Sequence, residues 1–139
     1  MTIARRDRIQ VRGAFTLMEL MVVIAIIVVL VGIGGFAYMK TLDDSKVQSA
    51  QLKAKGDLTT ACKTYKTKVG EYPAQLADLL QRTSEGFGPF LESEDALLDP
   101  WERPYQYNAA GPRNNGMQPD IWTTDPSTGQ EIGNWPKGH

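Results

Sequence analysis

The chain holds a single cysteine, Cys62, and a single histidine, His139. One thiol closes no intrachain disulfide, and the two residues cannot make a zinc site. No Gly-x-Ser-x-Gly, no P-loop and no Cys-His pairing occurs. The residues of nucleophilic and phosphate chemistry are therefore missing, and no enzyme is expected. Glu92, Glu94 and Asp95 read as a solvated acidic face, and Cys62 as a small apolar residue. Fifteen Lys and Arg against sixteen Asp and Glu leave a net charge of -1. Nucleic-acid binders normally carry a basic stripe, so no nucleic-acid partner is expected. Proline is absent between residues 15 and 71, and charge is absent between residues 20 and 39.

What is present is unevenly placed. At 139 residues and 15.4 kDa there is room for one ordinary domain. Before Gly13 stand Arg5, Arg6, Arg8 and Arg12 against Asp7 alone. A basic tip ahead of an apolar run predicts that the tip stays in the cytoplasm. The uncharged run of about 20 residues spans ~30 Å as a helix, one bilayer core. It exceeds the usual secretory h-region and has no Ala-x-Ala-like site after it, so it reads as an uncleaved anchor.

Beyond Met39, residues Leu42, Val47, Ala50, Ala54, Leu58, Ala61, Cys62, Tyr65 and Val69 recur at steps of three to four. That is the period of a one-sided helix. Gly70 suits its C-cap and Tyr72-Pro73 stops it. One helix of about 50 residues and ~80 Å is predicted. Residues 74–81 read as a short second helix with Leu76, Leu79 and Leu80 on one face. Residues 104–108 and 120–124 read as strands joined by the turn-rich segment 110–116. Trp101, Trp122, Trp135, Tyr105 and Tyr107 are expected to supply most of the bulky core.

Glu19 stands where the apolar run begins. An acid there costs roughly 2.5–3.5 kcal/mol near a bilayer centre, and less at its edge. Such a residue calls for a partner. An α-amino group freed just before Phe15 would lie one helical turn away, in the same or a neighbouring subunit. Breaking a pair in low dielectric leaves an uncompensated charge, so such a pair would fix register.

The stretch RGAFTLMELMVVIAIIVVL (residues 12–30) resembles the class III signal of type IV pilins and pseudopilins. The resemblance implies cleavage by a prepilin peptidase and N-methylation of Phe15. Cutting after Ala14 puts Glu19 at mature position five, with alanine where the family has glycine. Cutting after Gly13 keeps the glycine but shifts the glutamate by one. Glutamate spacing favours the former. The family's proline, about 22 residues into the mature helix, is Phe36 here, preceded by Gly32, Gly34 and Gly35. The glycines are either a weak point in the helix or a close-approach surface for neighbouring helices.

Gly70-Glu71-Tyr72-Pro73 and residues 99–107 (DPWERPYQY) resemble the type II secretion major pseudopilin, the G family. So does the Ile132-Gly133-Asn134-Trp135 end. The implied fold is α+β and pilin-like, a long N-terminal helix packed against a small antiparallel sheet head. The implied divisions are a cleaved leader (1–14), a transmembrane or filament-core helix (15–39), its amphipathic continuation (40–70) and the head (71–139). The resemblance also implies calcium in the loop before Ile132. Here the loop is short and keeps only Asp125 and Glu131 as acids. Calcium wants six to eight oxygens, so carbonyls of Thr124 or Ser127 and water would have to assist. The other reading is a turn closed by its own hydrogen bonds.

A filament subunit of a type II secretion pseudopilus is thus expected. Its partners would be further copies of itself, prepilin peptidase, minor pseudopilins, an inner-membrane assembly platform and the inner membrane. It would cross that membrane once, with the head in the periplasm. The alternatives are a type IV pilin for adhesion or motility, and a membrane-anchored binding module.

Overall fold

The computed structural model describes residues 15–136. Helix α1 covers Leu17–Lys53, and a single π-helical turn follows at Ala54–Leu58. Helix α2 then runs over Thr59–Val69. The helical run is as long as its proline-free sequence predicts, but the wide turn was not foreseen. It is held on the inside. The Thr59 hydroxyl donates to the Ala54 carbonyl at 2.7 Å, and the Tyr105 hydroxyl donates to that of Ala50 at 3.0 Å. π-Turns of this kind are often kept where a helix meets a functional or packing constraint. Gly70 ends α2 in the left-handed conformation, φ 99°, and its N–H bonds the Lys66 carbonyl.

The chain divides into two compact units between Lys40 and Thr41. In the first, the apolar part of α1 buries nothing within the chain. Val23 is 50% exposed and Phe36 79%.

The second unit has a core and a sheet. Strands β1 (Gln106–Asn108), β2 (Asp120–Thr124) and β3 (Glu131–Gly133) form an antiparallel sheet in the order β1-β2-β3. Gln106, Trp122 and Gly133 lie opposite one another; so do Tyr107 with Ile121 and Thr123 with Ile132. Opposed residues share a face, so the buried face carries Ile121, Thr123 and Ile132. The core joins Ala54, Leu58, Ala61 and Cys62 to Leu76, Leu79, Tyr105 and Ile121. Burial pushes the Cys62 thiol up to about 12, so it stays protonated and packs as an apolar group.

Two expectations need correction. The predicted short helix is a 3-10 turn, Leu76–Leu80, with Leu76 and Leu79 buried. Glu94–Leu97 forms another 3-10 turn, with Glu94 and Asp95 exposed. And the tryptophans do not fill the core. Trp101, Trp122 and Trp135 are half-buried, whereas Tyr105 is 6% exposed. Trp122 and Gly133 share the outer face, where Arg113 covers the Trp135 ring at 4.2 Å from its centroid. An indole has an apolar body and a polar edge, so it suits a rim covered by a cation. Gly133 is required for this arrangement. A Cβ there would come within 2.3 Å of the Trp135 ring.

Candidate functional site

The sequence-predicted processing residues Gly13 and Ala14 lie outside the described residues. Phe15 is 87% exposed. Thr16 and Glu19 close a capping box at the start of α1. The Thr16 N–H donates to Glu19 Oε2 at 2.9 Å, and the Glu19 N–H donates to Thr16 Oγ1 at 3.2 Å. Two donors that open the helix are thereby satisfied, and the carboxylate sits at the positive end of the helix dipole. Thr-x-x-Glu ahead of an apolar run is the sequence signature of such a box. That signature was legible, although the expected partner for Glu19 was an amine. The box gives the acid hydrogen-bonded company within its own turn.

From this cap onward α1 offers only apolar surface up to residue 39. Its 53-residue helical run, Leu17–Val69, contains a stretch long and apolar enough to cross a membrane.

Two polar constellations hold the head, and both were missed as networks. The first is built on the Asp-Pro-Trp turn. The Asp99 side chain is fully buried. Its Oδ1 accepts from the N–H groups of Trp101 and Arg103, both at 2.9 Å. Its Oδ2 accepts from the Arg103 guanidinium at 3.0 Å and from the Thr123 hydroxyl. Burial works against ionisation of Asp99. The hydrogen bonds from Thr123, Arg103 and Trp101 together outweigh it and hold the carboxyl below its usual range. Arg103 reaches on to the Thr124 carbonyl. The loop is thus tied to β2 through one buried acid.

The second is Asn134, in the terminal Ile-Gly-Asn-Trp. Its Oδ1 accepts from Asn114 Nδ2 at 3.0 Å and from the Ile121 N–H at 3.1 Å. Its Nδ2 donates to the Thr59 hydroxyl at 3.1 Å and to the Pro119 carbonyl at 2.9 Å. The side chain therefore joins the chain's end to β2 and to the residue just after the π-turn. No local pattern reveals this, because Thr59 is 75 positions away.

The calcium reading fares differently. Asp125 Oδ1 accepts from the Ser127 N–H and hydroxyl, and Oδ2 from the Thr128 hydroxyl at 2.7 Å. Hydrogen bonds from Thr128 and then Ser127 hold its carboxyl below the usual range. Glu131 pairs instead with Arg113. The Thr124 carbonyl, a supposed helper, is taken by Arg103. Among the described residues no group of three or more acids, histidines or cysteines could hold a metal ion. The residues present do not fit a calcium cage.

The comparisons with known families agree with the geometry at both ends of the chain. A family model described as "Type II secretion system (T2SS), protein G" matches residues 37–134. The chain belongs to that family, the major pseudopilins. A second family model, the "Prokaryotic N-terminal methylation motif", matches residues 10–35, the cap and the apolar helix. Neither the curated proteins nor the solved structures gave a match. In this pseudopilin the family match begins inside α1 and ends at Asn134, the residue that ties the terminus to the head.

Proposed function

We propose that this pseudopilin is a structural subunit, not an enzyme, that is stored in the inner membrane and polymerised into a periplasmic filament. In the precursor, residues 1–14 would form the leader and residues 15–39 the membrane span. Residues 40–70 would continue the helix, and residues 71–139 would form a head in the periplasm. Prepilin peptidase would cut after Ala14 and methylate Phe15. Growth of the filament, with minor pseudopilins and an inner-membrane platform as partners, would drive protein secretion.

The observation that carries this reading is the apolar helix itself. It is wholly unburied within the chain and begins at a capped glutamate inside an N-methylation motif. Such a surface needs lipid first and other copies later. Cleavage after Ala14 leaves the Phe15–Thr16 peptide untouched, so both hydrogen bonds of the capping box survive. Glu19 then meets the new amine already held in one orientation. Head-to-tail contacts that do not close on themselves give an open filament.

Intact mass and N-terminal analysis of the mature protein test the processing step. N-methylated Phe15 as the first residue is expected, and a Met1 or Thr2 start overturns it. Glu19→Ala tests assembly. Processed subunits that stay in the membrane without forming filaments are the expected outcome. Normal filaments and normal secretion would defeat a register role for Glu19.

A further inference from the structure

The loop between β2 and β3 is where the resemblance implies calcium, yet both of its acids and the Thr124 carbonyl are already engaged. Three donor groups of Ser127 and Thr128 point their hydrogens at the Asp125 carboxylate. The Arg103 guanidinium sits on the Thr124 carbonyl, and that of Arg113 on the Glu131 carboxylate. The backbone closes the same loop. Asp125 N–H bonds the Gln130 carbonyl at 2.8 Å, and Gly129 N–H bonds the Asp125 carbonyl at 2.8 Å.

The two possible ligands also differ in position and burial. Glu131 is opposite Thr124 in the β2–β3 ladder and shares its face. Asp125 lies just past the end of β2 and is buried, whereas Glu131 is exposed. A cation entering here would have to displace hydroxyl hydrogens that point at it and approach two fixed guanidinium groups. Both encounters are repulsive.

We propose that Arg103, Arg113, Ser127 and Thr128 do in this chain the work of a divalent cation, so the head closes its β2–β3 loop without one. Two guanidinium groups supply fixed positive charge. Two hydroxyls and an amide satisfy the acid that a cation would otherwise neutralise. The loop leads directly into β3 and Asn134, so its closure also sets the position of the tie to Thr59.

The test is thermal melting of the full-length protein in detergent micelles, in EDTA and in calcium. At ~10 mM calcium, a site with the ~0.1–1 mM affinity of extracellular modules would raise the Tm by roughly 5–20 °C. The expected difference is under about 1 °C, well inside that scale. A rise of about 5 °C or more overturns the proposal. Asp125→Asn keeps the shape of the side chain but removes acceptor capacity and charge. It is expected to lower the Tm by the same amount in both buffers. A loss seen only in calcium would again overturn it. Should Asp125→Asn fail to fold, Thr128→Ala gives the same two-buffer comparison. Cation independence of the filament rests also on the pseudopilus reading. Filaments imaged in EDTA address that part, while melting addresses the head alone, so the two ideas fail separately.

Discussion

The apolar stretch of α1 and the head solve opposite problems. In the first, Val, Ile, Leu and Met side chains between residues 17 and 31 remain about 50–77% exposed, and the Thr16–Glu19 cap closes the tip. In the second, among the described residues, ten hydrophobic side chains are buried, along with Pro73 and Pro119. Yet among the described residues no buried side-chain nitrogen or oxygen lacks a hydrogen-bond partner. The difference has a scale. Completing the burial of ten half-exposed aliphatic side chains is worth on the order of 10 kcal/mol. That equals the whole stability of an ordinary domain. The first region therefore holds a large unclaimed driving force that only an outside surface can satisfy. The second has little apolar burial to spare, and it compensates with saturated polar ties around a thin core.

The largest effect should follow from cutting one of those ties. Asn134→Ala removes four side-chain hydrogen bonds and leaves buried groups on Thr59, Asn114, Ile121 and Pro119 short of a partner. Unsatisfied buried groups cost about 1–3 kcal/mol each, and within one network the costs do not add fully. A loss of about 3 kcal/mol is expected, read by denaturation followed through tryptophan fluorescence. A loss under about 0.5 kcal/mol would mean that the core, not the polar ties, carries the head.

Those ties were also the hardest feature to read in the sequence. Local signals worked where the chemistry was local. Gly70 predicted a left-handed cap and has one, and residues 120–124 predicted the strand Asp120–Thr124 that is found. The stripe of Ala50, Ala54, Leu58, Ala61 and Cys62 predicted the buried face of the helix. Leu42, at the start of that stripe, is 44% exposed. What failed was anything settled between distant segments. The π-turn depends on Thr59 and on Tyr105, and Tyr105 lies 55 positions beyond the carbonyl it meets. Asp99 looked like a turn residue and is one. Its second role, binding Thr123 from 24 positions away, has no periodicity to betray it. The tryptophans misled because size suggested core, whereas Trp122 and Trp135 lie against Arg113 and Trp101 against Arg103.

An intermediate effect is expected from acid. The Asp99 carboxyl titrates below its ordinary value of 3.8 in the folded head. A group whose folded pKa is depressed stabilises the fold fully above its unfolded pKa. That contribution is lost as pH falls through the folded value. Head stability should therefore decline below about pH 4, with little change from this group between pH 5 and 7. Asp99→Asn should flatten this decline while lowering stability at neutral pH. An unchanged acid limb in Asp99→Asn would assign the decline to other carboxylates, with Asp125 next to test because it is shifted in the same direction.

The smallest effect on the head, and the sharpest check on the comparison, comes from the apolar helix. Ile26 is 54% exposed and no part of the apolar window is buried within the chain. Ile26→Asp should move the head's melting by less than about 0.5 kcal/mol, as for a surface site. The same change should cost roughly 2.5–3.5 kcal/mol in a bilayer centre. Membrane retention of the precursor, read by fractionation, should fall while the melting of the detergent-solubilised head stays where it was. A variant that stayed in the membrane as well as the parent would place residue 26 away from the bilayer centre. A variant whose head melted earlier would show that the apolar helix supports the head directly, and the contrast between a self-sufficient region and a region awaiting partners would fail at its root.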